Sequence, residues 1–163
     1  MLSGPLMVDT NVWIAYFMGQ GSRCPHITRL INVCHRHGID LLFAPSSLKD
    51  VFYIVPRELK RMGRSERPAA DERGEAGTRG LVAWACSESM HKLATPASMG
   101  LPECRMAHML RGQHADLEDN LVLACAAGCK AEYVLTYDEG MIRDFPGDCI
   151  TPEHACELLG VGA

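Results

Sequence analysis

The chain has no long apolar run. Nothing in it approaches the roughly 18–20 consecutive apolar residues that a membrane span needs, so no transmembrane helix is expected. Its start has no basic region followed by an apolar stretch, and no secretory signal is expected there. Its eight cysteines (Cys24, Cys34, Cys86, Cys104, Cys125, Cys129, Cys149 and Cys156) form no Cys-x-x-Cys pair. Without an export signal, such scattered thiols suit the reduced interior of a cell, and a cytoplasmic location is the expectation. Cys125 and Cys129 share a helical spacing, as do Cys104 and His108, but small residues on amphipathic helices account for both pairs without zinc. Positive charge is scarce as well: 16 Lys and Arg stand against 20 Asp and Glu, for a net charge of −4. No global field draws in nucleic acid, so any such attraction has to be local or metal-mediated. Internal repeats and low-complexity segments are absent.

The 163 residues, with 47% apolar and 22% charged content, fit a soluble globular protein. One domain over residues 1–163 is expected, burying roughly 70% of the unfolded surface. Leu6-Met7-Val8 reads as a short buried strand. Pro25 to His37 reads as a helix, with Ile27, Leu30, Ile31 and Cys34 on one face, Pro25 in its first turn and Gly38 at its end. "IDLLFA", 39–44, reads as a second strand. "PSS" then starts a helix on which Leu48, Val51, Phe52 and Val55 repeat the spacing until Pro56 interrupts it or begins the next. Residues 63–80 read as a polar, Gly-rich loop entering a helix that continues through "LVAWACSE". A short strand is expected at 91–95, a helix from Pro102 to Arg111, and another over 116–128 with Leu117, Leu121, Ala124, Cys125 and Gly128 inward. "YVLT", 133–136, and "CIT", 149–151, read as strands, and 153–159 as a closing helix. Alternation of strands and helices predicts an α/β domain with a largely parallel sheet.

Acids punctuate this pattern. Asp9 follows the first strand directly, Asp138 follows "YVLT" by one residue, and Asp50 and Asp119 fall in first turns of helices. Each has a plain explanation as a helix-dipole partner, an N-cap (Asp116, with Asp119 one turn later) or a turn former. Together they sit where strands end and helices begin, the edge of a parallel sheet where ligands bind. Carboxylates converging there repel unless protonated or bridged by a cation, and an all-oxygen set suits Mg2+ or Mn2+.

"MVDTNVWI", "PSSLKDVFYIV" and "DLEDNLVLACAAGCKAEYVLTYD" resemble the successive motifs of PIN domains, small nucleases that include the VapC-like toxin ribonucleases of bacterial toxin–antitoxin pairs. The resemblance spans residue 6 to about 152. It implies a three-layer α/β/α sandwich around a small, mostly parallel sheet, and metal-dependent hydrolysis of RNA phosphodiesters. Asp9, Asp119 and Asp138 resemble the family's metal ligands, with Asp116 able to replace or assist Asp119. Asp50 takes the place of an acid that is usually Glu or Asp and would orient water or accept its proton. Asn11, Thr10 and Thr136 resemble the polar residues that support the acids. A neighbouring-gene antitoxin and a homodimer are the partners this resemblance suggests, with apolar residues around Phe17, Met18, Phe52 and Tyr53 as a contact.

Arg57, Lys60, Arg61 and Arg64 recur at helical spacing and are expected to hold RNA phosphates, with Arg67 beyond; a solvated helix face is the plainer account. The scattered histidines, His114 among them, read as surface or helix-end residues, Trp13 and Trp84 as core, and Tyr137 as an aromatic placed to touch substrate. Two rival readings stand beside the nuclease. One is a non-catalytic PIN-like module that binds RNA or protein. The other is a phosphatase with Asp9 as covalent nucleophile, a chemistry that wants a second Asp where this chain has Asn11.

Overall fold

The structure, a computed structural model, describes residues 2–19, 21, 23–64 and 72–161, with backbone alone for 63, 64 and 72–76. Three short apolar segments, Leu6–Val8 (β1), Leu41–Phe43 (β2) and Tyr133–Leu135 (β4), form the middle of a five-stranded parallel sheet. Thr95–Pro96 (β3) and Cys149–Ile150 (β5) are its edges, and the order is β3-β2-β1-β4-β5. Leu6 pairs with Leu41 on one side and with Tyr133 on the other.

Side chains alternate along the strands, as the period of two requires. Leu6, Val8, Leu41, Phe43 and Leu135 enter one core cluster, and Met7, Leu42, Val134 and Cys149 the other. The first is covered by Thr10–Phe17 (α1), Arg23–His37 (α2), Pro45–Arg64 (α3), Glu72–Leu93 (α4) and Pro152–Leu158 (α8). The second is covered by Leu117–Gly128 (α6) and Glu139–Asp144 (α7), with Leu101–Leu110 (α5) packed outside α6. This is a three-layer α/β/α sandwich. The helices change face because the chain adds strands in one direction as far as β3 and then returns past β1 to lay down β4.

Several expectations are corrected. The run "TNVWIAYF" forms α1, capped by Asp9. α2 begins at Arg23, two residues before the expected Pro25, and ends at His37, followed as expected by Gly38, whose φ of 66° suits a residue without a Cβ. α3 continues through Pro56, although its ring leaves the Phe52 carbonyl without an N–H donor. α4 takes up 91–93, and the third strand lies at Thr95–Pro96. On α6, Leu117 is exposed and Gly128 lies at the surface; the buried stretch is Asn120 and Val122 through Ala126. Trp13 is fully buried, but Trp84 is 62% exposed and stacks edge-on against Phe52. Phe17 and Met18 pack against the core, and Tyr53 is exposed. All eight cysteines are free thiols, Cys104 exposed and Cys125 buried. Among the described residues, no helix is long and apolar enough to cross a membrane.

Candidate active site

The strand order reverses between β1 and β4, and in a parallel sheet that reversal opens a crevice at the carboxyl ends of the strands. Asp9 stands there because β1 ends at Val8. Its backbone N–H donates to the Leu135 carbonyl of β4, and its carbonyl accepts from Val12 and Trp13 as α1 starts. The side chain is 3% exposed and takes three donors: the Thr10 N–H at 2.6 Å, Asn11 Nδ2 at 2.8 Å and the Thr136 hydroxyl at 2.7 Å. Burying a carboxylate is costly. Burial pushes the Asp9 carboxyl up to about 6, the Thr136 and Thr10 donors oppose that, and the charges of Asp119 and Asp138 add to it.

Asn11 and Thr136 clasp the two loops of the crevice together. Asn11 Nδ2 also donates to the Thr136 hydroxyl at 2.9 Å, and its Oδ1 accepts the Tyr137 N–H at 3.0 Å. The same hydroxyl accepts the Asp138 N–H at 3.0 Å. Asp138 is the N-cap of α7, with Oδ1 accepting from Met141. Thr10 donates to Ser47 on α3 at 2.8 Å, which fixes the start of α1 against the start of α3.

α6 precedes β4 and runs back along it, so its N-terminal turn lies at the same rim. Asp116 caps that turn, accepting from the Glu118 and Asp119 N–H groups. Asp119 is half-buried; burial raises its carboxyl, and Asp116 and Asp138 add to that while His114 opposes it. The Cys149 thiol, pushed up to about 12 chiefly by burial, is raised further by Asp148 and then by Asp9, Asp119 and Asp138. Asp9, Asp119 and Asp138 thus act electrically on one small volume.

Asp50 lies on α3 behind β2, 8% exposed. Its Oδ1 meets Lys49 Nζ at 3.0 Å, and Lys49 reaches across to Glu118 at 3.5 Å, tying α3 to α6. Asp50 Oδ2 is buried without a hydrogen-bond partner among the described residues.

The sequence reading passed over His114. Its Nε2 lies 2.8 Å from Asp119 Oδ2 and its Nδ1 2.9 Å from Asp144 Oδ2. With a carboxylate on each nitrogen the imidazolium is favoured: the Asp144 hydrogen bond raises its pKa most, burial opposes, and Asp119 adds to the rise. Asn120 anchors its carbonyl, Gln113 donates to the Asp144 carbonyl, and Arg143 pairs with the Asp144 carboxylate. A signal was available only as the adjacency of "HADLED" to the helix start; Asp144 lies too far along the chain to be paired by spacing.

The expected phosphate contacts sit elsewhere. Arg57 and Arg61 project from the later part of α3, 73% and 83% exposed, each beside Glu58. Lys60 is partly covered, and the side chain of Arg64 and all of Arg67 lie outside the described residues. Arg57 is about 18 Å along the helix axis from Pro45.

The family model of the PIN domain matches residues 5–140. The chain belongs to the PIN domain family. PIN domains are generally nucleases, that is, hydrolases. The match takes in Asp9, Asp50, His114, Asp119 and Asp138 and stops before β5 and α8. A comparison with curated proteins returns no match.

Nucleases of this family generally use divalent metal ions. The donor set here is all oxygen, it contains an acid held above its ordinary range chiefly by burial, and it includes an orphaned buried oxygen on Asp50. Those are properties a hard cation satisfies. Among the described residues, no three His, Cys, Asp or Glu side chains are gathered closely enough to hold an ion. Each acid of this PIN domain is turned instead to donors of its own: Asp9 to Thr10, Asn11 and Thr136, Asp119 to His114, and Asp138 to Met141.

Proposed function

We propose that this PIN domain is a metal-dependent endoribonuclease that hydrolyses RNA phosphodiester bonds at the rim between β1 and β4. One observation carries the reading: Asp9 is a buried carboxylate at the end of β1, lifted to about 6 chiefly by burial, and Asp119 and Asp138 lie near enough for their charges to add to the rise. Acids that repel through one crevice are what a divalent cation relieves.

Asp9, Asp119 and Asp138 would hold Mg2+ or Mn2+, with Asp116 one turn before Asp119 as an auxiliary. Such an ion, when bound, draws charge from the phosphate under attack and acidifies water. The chain's own groups do the remainder. Thr10, Asn11 and Thr136 hold Asp9 in one orientation. Lys49 occupies one oxygen of Asp50, which leaves the other to orient the attacking water and take its proton. Arg57, Lys60, Arg61 and Arg64 are candidate phosphate contacts on α3.

The test is cleavage of an RNA panel in Mn2+, with calorimetric titration of Mn2+ alongside. Asp9→Asn and EDTA are expected to reduce cutting to background while the circular dichroism spectrum is retained. Asp50→Asn is expected to slow it by about 10²–10⁴-fold. Full activity of Asp9→Asn would refute the assignment. RNA binding without any Mn2+ binding would favour the non-catalytic module. A toxin role adds two outcomes: growth arrest on expression that Asp9→Asn abolishes, and an antitoxin that copurifies and covers the rim. A homodimer is the further partner proposal, read by sedimentation.

A further inference from the structure

The chain carries four more acids than bases, yet one of its long helices has no acid at all. α2, Arg23–His37, holds Arg23, Arg29, Arg36, His26, His35 and His37 and neither Asp nor Glu. Its inner side, from Ile27 to Cys34, is buried in the core. Its outer side presents a continuous stripe of Thr28, Arg29, Asn32, His35 and Arg36, all exposed. These positions recur at three and four residues and so lie along one line. Every one can donate a hydrogen bond, and none is apolar.

The stripe leads away from the crevice. The Arg23 guanidinium lies 4.4 Å over the ring of Tyr137, the residue before Asp138. From Arg23 the helix extends about 20 Å to Arg36. His35 is fixed at the far end, its Nε2 2.9 Å from the Leu93 carbonyl. The neighbouring helix α8 is acidic: Glu153 accepts from Tyr137 Oη at 3.0 Å, and Glu157 lies 3.3 Å from His154 Nδ1. Arg29 has an interaction of its own, and Arg36 has no carboxylate partner among the described residues. Arg57 and Arg61 on α3 both lie against Glu58.

We propose that the outer stripe of α2 is the lane along which single-stranded RNA lies, its phosphates meeting Arg29 and Arg36 and its strand entering the crevice past Arg23 and Tyr137. The lane rests on the nuclease reading for its direction, toward Asp138, and on charge complementarity for its occupant. A flexible single strand suits it because the hollow along the stripe, lined by Cys24 and Pro25 as well as by Thr28, Arg29, Asn32, His35 and Arg36, is shallow and open to solvent along one helix.

The experiment measures binding of a fluorescein-labelled uridine 12-mer by anisotropy in EDTA, across 25–200 mM salt, with a deoxyuridine 12-mer as a parallel arm. The variant R29E/R36E is expected to bind at least tenfold more weakly at low salt. The slope of log affinity against log salt should become shallower by about 1.4, the value for two lost phosphate contacts on a single strand. R57E/R61E is expected to change both far less. Should R29E/R36E lose its fold by circular dichroism, Asn32→Glu on the same exposed line is the replacement and is expected to weaken binding in the same sense. Unchanged affinity and slope in the α2 variants overturns the lane, as does loss confined to R57E/R61E or a parent protein that binds neither oligomer. Equal binding of the DNA oligomer supports a lane that reads phosphate alone. Binding through α2 with no cleavage in Mn2+ leaves the lane standing and removes the nuclease reading.

Discussion

Asp9 is the residue on which pH acts most directly. Its carboxyl is raised from 3.8 to about 6 in the folded protein, chiefly by burial. A raised acid favours the folded state while protonated. Its contribution is full below about pH 4 and is lost as pH rises through 6, a change of about 3 kcal/mol. A cation bound by the ionised form reverses the trend by mass action. Millimolar Mn2+ is therefore expected to raise the melting temperature at pH 7.5 and to leave it unchanged at pH 4.5, read by thermal denaturation. A shift of the same size at both values would remove Asp9 from the ion's ligands. His114 gives a second prediction. Held between Asp144 and Asp119, it fixes the latter's Oδ2, and partners of this outer kind are worth 10–100-fold in metal affinity. His114→Ala is expected to weaken Mn2+ binding by about that factor with the fold retained, and Asp144→Asn by less. Calorimetry that finds His114→Ala indistinguishable from the parent would make His114 a packing residue only.

Elements were legible where their boundaries carry chemistry. β1, β2 and β4 are apolar triplets ended by Asp9, Ala44 and Thr136, and α2 and α5 have Pro in the first turn. α1 was hidden because "VWIAYF" is apolar all round and shows no helical period; it is a helix because Asp9 caps it and the core covers most of it. α3 outlasts Pro56 because Val51 and Val55 are fully buried and the helix packs along α4, which outweighs one missing hydrogen bond. The same tertiary logic divides the tryptophans. Trp13→Ala on α1 is expected to cost about 3–5 kcal/mol in urea denaturation, whereas Trp84→Ala on α4 should cost under about 1, since little of that ring leaves water. Equal costs would mean that α4 is covered in solution.

For the molecule as a whole, the alternation of strand and helix announced a parallel sheet, but the strand order did not follow from it. That order depends on α5 and α6 crossing to the other face, a choice made by packing between elements distant in sequence. The acids were legible one at a time because strands end at them. Their common crevice, and the part of His114 in it, depended on the order. Electrostatics shows the same limit: a net charge of −4 conceals an acid-free helix beside the rim. Finally, the two indoles differ in surroundings as sharply as in energetic weight. Trp13 is sealed from water and its backbone N–H donates to the Asp9 carbonyl, while Trp84 stands 62% open on α4. Acrylamide therefore ought to quench the intrinsic fluorescence in two stages, extinguishing the red-shifted Trp84 component first, so that the residual blue emission of Trp13 becomes a built-in optical reporter of events at the end of β1.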